Sequence, residues 1–192
     1  MIRNKVSALP YLSAIFMIAC LLSYSGITSA DDLAEPHPSG AACKGSLSPL
    51  GRWCDNHNGT VTDMSTGVIW LKDASWGGQY PFVDRVKAKA TAANRAAEVK
   101  NGNPAWLTDG SVKGDWVLPT LKQLKALATG TEGISTANMY YFTGVQETYY
   151  WSNTSPAPNM VNAWAVCLYD GKVFDCTNKT TNYQVWPVRG GQ

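Results

Sequence analysis

Histidine is almost missing from this chain, with His37 and His57 the only two in 192 residues. The usual general base is therefore scarce. There is no H-E-x-x-H pair, no G-x-S-x-G elbow, no G-x-x-x-x-G-K-[ST] loop and no strand-anchored G-x-G-x-x-G. Those absences exclude the common zinc-protease, serine-hydrolase, P-loop and dinucleotide classes, and the expectation is a chain with no catalytic residue, no cofactor and no metal. Charge is sparse too, 16% of residues. There is no Gly-X-Y array and no other internal repeat.

A long apolar run is also lacking. Arg3 and Lys5 precede an uncharged stretch from Tyr11 to Ile27 that Ser13, Ser23, Ser25 and Gly26 dilute below a membrane span. Thr28-Ser29-Ala30 then offers the small residues a signal peptidase reads, so residues 1–30 are expected to be a signal peptide and no membrane span is expected after its cleavage. Lipid attachment at Cys20, after Met17-Ile18-Ala19, is the alternative. Removing Arg3 and Lys5 from the 16 Lys+Arg leaves 14 against 14 Asp+Glu. A neutral chain gives no electrostatic case for nucleic acid.

What the sequence does hold is large apolar surface: 8 Trp, 9 Tyr and 4 Phe. That is enough to offset the ordering entropy of a folded domain. Without Cys20, four cysteines remain, in two close pairs, as in a disulfide-bonded protein of an oxidising compartment, secreted or periplasmic. Three connectivities are open, and proximity favours Cys43–Cys54 and Cys167–Cys176. Neither pair has zinc-ligand spacing.

Asp31 to Leu50, rich in Pro, Gly and Ser, reads as an extended lead-in, with the domain at 51–192. Thr60–Thr62 and Val68–Leu71 flank Asp63–Gly67 as a hairpin. Val83, Val86, Ala90, Ala93 and Ala97 predict a helix from Pro81 to Lys100. After Pro119, Thr120 and Gln123 form a capping box for a second helix whose face is Leu121, Leu124 and Leu127 and whose stop is Gly130. Strands follow over residues 148–152, 163–169, 172–176 and 183–188. A type I′ turn at Asp170-Gly171 sets Cys167 opposite Phe174, and a turn at Gly171-Lys172 sets it opposite Cys176. Helices followed by strands predict an α+β domain with two helices on a twisted, mainly antiparallel sheet.

Five ordered blocks carry a resemblance: Gly59-Thr60-Val61-Thr62-Asp63 with Thr66-Gly67-Val68-Ile69-Trp70; Asp115-Trp116-Val117-Leu118-Pro119-Thr120-Leu121-Lys122-Gln123-Leu124; Tyr150-Trp151-Ser152; Ala163-Trp164; and Val185 to Gln192. Together they resemble the Lcl C-terminal domain family, with Val117 where the family has Arg and Gln123 where it has Glu. The resemblance implies a C-type-lectin-like fold, export by bacteria, and glycan or surface binding of the kind attributed to a collagen-like adhesin.

Candidate ligand-binding residues are the polar groups of the loops between the last strands: Asn153, Asn159, Asn162, Tyr169, Lys172, Asn178, Lys179 and Asn182. Lys87, Lys89, Arg95 and Lys100 on the first helix form an alternative polyanion patch. Trp70, Trp116, Trp151, Trp164 and Trp186 lie in strand-like contexts and are expected in the core, whereas Trp76 and Trp106 lie in loop-like sequence and suit a binding role. The expected partner is a glycan or surface ligand, or else another exported protein met by a structural module. The enzymatic alternative is a formylglycine-generating-type oxidase using Cys167 and Cys176 with copper.

Overall fold

Val61, Trp70 and Val188 lie side by side on three neighbouring strands, and all three are buried. The computed structural model describes residues 42–82, 91–129, 140–154, 162–168 and 172–190. These belong to one compact unit, Pro36–Gln192. The expected signal peptide, Gly130, Lys87, Lys89, Asn159 and Tyr169 lie outside the described residues.

The first sheet has the order β1 (Ser46–Leu47), β2 (Trp53–Asp55), β3 (Thr60–Asp63), β4 (Ile69–Leu71) and β10 (Val188–Arg189), antiparallel throughout. Its β3–β4 pair is the expected hairpin, with Thr60 opposite Leu71 and Thr62 opposite Ile69. The second sheet has the order β5 (Gln79–Pro81), β9 (Asn182–Gln184), β6 (Tyr149–Trp151), β7 (Asn162–Cys167), β8 (Val173–Asn178). Only its β6–β9 pair is parallel. With the helices α1 (Thr91–Ala97) and α2 (Leu121–Thr129), this is an α+β fold.

Successive side chains of a strand point to opposite faces, and the second sheet is buried on both. Tyr150 and Val166 join the larger core, with Trp53, Trp70, Trp116, Leu124, Leu127, Phe142 and Trp186. Their neighbours Trp151 and Ala165 join Ala163, Val185, Leu118 and the α1 residues Ala92 and Ala96 in a second core. Trp186 is the hub of the first. Its ring meets those of Trp70, Phe142 and Tyr150 at 5.1 to 5.6 Å between centroids, and its Nε1–H donates to the Leu71 carbonyl at 2.7 Å.

The second helix starts as its sequence dictates. The Thr120 N–H donates to Gln123 Oε1 at 2.7 Å and the Gln123 N–H to Thr120 Oγ1 at 3.2 Å, the two reciprocal bonds of a capping box. Leu124 and Leu127 are fully buried.

Elsewhere the structure corrects the sequence reading. There are two sheets, not one, because the run 183–188 divides: β9 joins the second sheet, Val185 to Pro187 cross between, and β10 joins the first. Pro81 opens no helix; it ends β5, opposite Asn182. The first sheet also reaches back past Gly51, since Ser46 pairs with Asp55 and Leu47 with Cys54. Trp164 is only half-buried, and Trp53 takes a fully buried place among the core tryptophans.

Of the two expected disulfides, Cys43–Cys54 is present, with 5.6 Å between Cα atoms. Cys167–Cys176 is not: Cys167 is a free, buried thiol. The cause is register. Val166 faces Val173 and the Cys167 N–H donates to the Lys172 carbonyl, which sets Cys167 opposite Lys172 and not Phe174 or Cys176; the expected turn residues Asp170 and Gly171 lie outside the described residues. Cys176 is four residues farther along β8 from Lys172, about 13 Å at strand rise. A disulfide cannot bridge Cα atoms more than about 7 Å apart.

Candidate functional site

Asp55 ends β2 and begins the site. The tight turn after it holds His57 at a φ of 56°, a left-handed conformation that costs a non-glycine residue about 1 kcal/mol. Two contacts hold it there: the His57 N–H donates to Asp55 Oδ1 at 3.0 Å, and its Nε2 lies 2.9 Å from Ser46 Oγ on β1. From the far end of β4, the Lys72 ammonium reaches Asp55 Oδ2 at 2.5 Å. Burial pushes the Asp55 carboxyl up, but the Lys72 hydrogen bond, the His57 N–H and the charges of both partners outweigh it and hold the carboxyl below its usual range.

Asp73 follows Lys72, where the chain leaves the sheet. Its Oδ1 accepts both the N–H (2.8 Å) and the hydroxyl (2.6 Å) of Ser75, the side-chain turn that Asp-x-Ser sequences favour. Thr143 is bridged to this segment, its N–H donating to the Lys72 carbonyl and its carbonyl accepting from Ala74. Nearby, burial pushes the Tyr150 phenol well above the usual tyrosine range; the Asp73 charge adds to the rise, although the Gln146 N–H donated to its oxygen opposes it.

The fourth wall is Trp106. Its loop is tied down on both sides: Leu107 is fully buried, Thr108 donates to the Asn58 carbonyl, and Asp109 is ion-paired with Arg189 at 2.9 Å. Its indole stays 42% exposed, an unusual position for so large an apolar ring. The ring rests on Gly59, whose φ is 89° and where an added Cβ would lie 2.8 Å from the ring. Asp55, His57, Gly59, Lys72, Asp73, Trp106 and Thr143 line an open pocket of about 420 Å³. An aromatic face beside carboxylate, ammonium, imidazole and hydroxyl groups offers stacking together with hydrogen bonds of both senses.

Of the residues expected to bind ligand, Trp106 is in this pocket. Those of the others that lie among the described residues are dispersed. Asn162 and Asn178 face each other across β7 and β8, while Lys172 lies at the opposite end of that hairpin. The Asn178 side chain accepts the N–H and hydroxyl of Thr180. Lys179 lies over the Phe82 ring at 4.8 Å, and desolvation lowers its pKa. Asn182 pairs with Pro81, and the exposed Asn153 donates its N–H to the Pro119 carbonyl.

Of the expected first-helix cations, Arg95 and Lys100 lie among the described residues, and they make different contacts. Arg95 stacks on Trp76 at 4.1 Å, reaches the carbonyls of Trp76 and Gly77, and pairs with Glu98 at 2.8 Å. It is thus part of the packing, and it occupies the Trp76 face that a ligand would need. Lys100 is exposed, in a bridge with Asn103. The sequence reading missed Asp55, Lys72, Asp73 and Thr143; only Asp-x-Ser at Asp73 and the Asn58-Gly59 turn marked their neighbourhood.

No helix among the described residues is long and apolar enough to cross a membrane, and no group of three or more His, Cys, Asp and Glu among them is placed to hold a metal. The Cys43–Cys54 bond fits a protein exported to an oxidising compartment. Fold and site together define a small α+β domain, disulfide-bonded at its start, with an aromatic-walled polar pocket beside its first sheet. The Lcl C-terminal domain model matches residues 59–189, over half of the chain, which therefore belongs to the Lcl C-terminal domain family. Asp55 and His57 stand just ahead of the matched span. No curated protein matches the chain.

Proposed function

We propose that this chain is an exported, non-enzymatic binding domain that recognises a glycan or another surface ligand, as an adhesin module does, and that the Trp106 pocket is where it does so. The observation that carries the reading is the exposed indole at a pocket otherwise lined by polar groups. A sugar presents a C–H face for such a ring and hydroxyls for the groups around it. Family membership supports the reading through the glycan or surface binding attributed to the namesake adhesin, and the C-type-lectin-like architecture belongs to the same proposal. The disulfide supports secretion or periplasmic residence.

The test is a glycan array at low and high ionic strength with three variants. Trp106→Ala removes the pocket wall, Asn153→Ala/Asn178→Ala the strand-loop amides, and Lys87→Ala/Lys89→Ala the cations that the sequence assigns to the first helix. Binding lost only in Trp106→Ala is the expected result. Salt-sensitive binding lost only in the lysine variant would move the site to the helix, and silence across the array would refute glycan recognition.

A further inference from the structure

We infer that the Trp106 pocket selects sugars carrying a free ammonium group over N-acetylated or sulfated ones. This rests on the pocket reading above and concerns its charge. Two carboxylates face one ammonium, an excess of one negative charge with His57 counted neutral. Lys72 and Asp55 satisfy each other at 2.5 Å, and the second Asp55 oxygen takes the His57 N–H, so this pair offers no free cation to an anionic ligand.

Asp73 is different. Its Oδ1 is fixed by the Ser75 N–H and hydroxyl, and no hydrogen bond reaches its Oδ2 among the described residues. The side chain is oriented by one oxygen and leaves the other to accept. In the same pocket stands an indole face, whose negative quadrupole attracts a cation above it. Carboxylate and indole together suit an ammonium group carried on an apolar ring face; a sulfate would meet the excess negative charge, and an N-acetyl group would lose the charge-assisted bond to Asp73.

The test is calorimetric titration of the whole protein with three probes of matched length: a glucosamine oligomer with free amines, the same oligomer fully N-acetylated, and a heparin-derived oligosaccharide. The free-amine oligomer is expected to bind about tenfold or more tighter than its acetylated form. Asp73→Asn retains the acceptor for Ser75, so the turn persists. It should weaken the free-amine oligomer about tenfold, to the acetylated level, and leave the acetylated oligomer unchanged. Trp106→Ala should weaken both. Equal binding of the two oligomers, both lost in Trp106→Ala, would overturn amine selection while leaving the pocket reading in place; tighter binding of heparin would likewise overturn it. Failure of all three probes would overturn amine selection, while the pocket reading stands or falls on the array. An unchanged urea-unfolding curve for Asp73→Asn separates lost affinity from lost fold.

Discussion

Gly59 links the fold to the pocket, and replacing it by alanine has two separable costs. The left-handed φ of 89° costs an alanine about 1 kcal/mol. The new Cβ would also lie 2.8 Å from the Trp106 ring and 3.1 Å from the Leu107 Cα, against about 3.5 Å or more for ordinary carbon contacts. The ring must retreat by several tenths of an ångström, and the backbone behind it is held by the buried Leu107. Overpacking of this kind adds about 1–3 kcal/mol, for a total near 3 kcal/mol.

Gly102→Ala supplies the control, since its φ is 74° with nothing within 4 Å of the added Cβ; it incurs the conformational cost alone, about 1 kcal/mol. In urea unfolding the two variants should therefore differ by about 2 kcal/mol, a midpoint shift near 1 M at an m-value of about 2 kcal/mol/M. Equal losses would refute the claim that the Trp106 ring rests on Gly59. Ligand binding, where present, should fall in Gly59→Ala and persist in Gly102→Ala.

Other outcomes follow from the same geometry. Reducing Cys43–Cys54, which closes a separation of 11 residues, should cost about 3 kcal/mol in unfolding free energy. Arg52→Met strips the nearly buried Asp63 carboxylate of its 3.1 Å ion-pair partner and should destabilise by about 3 kcal/mol in the same assay; a loss under 1 kcal/mol would show that the N–H and hydroxyl that Ser65 donates to Asp63 Oδ1 suffice. The Asp55 carboxyl is depressed in the folded state, so its contribution is present above the unfolded carboxylate pKa and lost as pH falls through the folded value. Asp55→Asn should accordingly flatten the acid limb of the stability profile and leave the alkaline limb unchanged. The buried Cys167 thiol should resist alkylation in the native protein and react on unfolding without reductant, as read by mass spectrometry of its peptide; a disulfide at Cys167 would refute the hairpin register.

The parts legible in the sequence are those decided within a few residues. The second helix is one: Thr120 and Gln123 satisfy each other's N–H groups within a single turn. The β3–β4 hairpin, closed by the Asp63 to Val68 turn, is another. β5 was hidden because nothing local marks Gln79-Tyr80-Pro81 as a strand; its partner β9 lies about a hundred residues on. The split of 183–188 between two sheets is likewise a matter of what Trp186 packs against, and the β7–β8 register is set by Val166 meeting Val173, which no local signal marks. For the site, loop-like sequence around Trp106 revealed its exposure, whereas Asp55, Lys72, Asp73 and Thr143 converge from separate segments, and such convergence leaves no sequence spacing to detect.

The crossing from β9 to β10 has a consequence for how the protein is made. Trp186 donates to a carbonyl 115 residues earlier, and the larger core lacks its central ring until that residue arrives. A chain emerging residue by residue therefore holds its first sheet open at β4 until β10 emerges, since loop closure over such a distance is slow and is repaid only once the late contacts form. A chain that has not yet reached Trp186 therefore stays threadable.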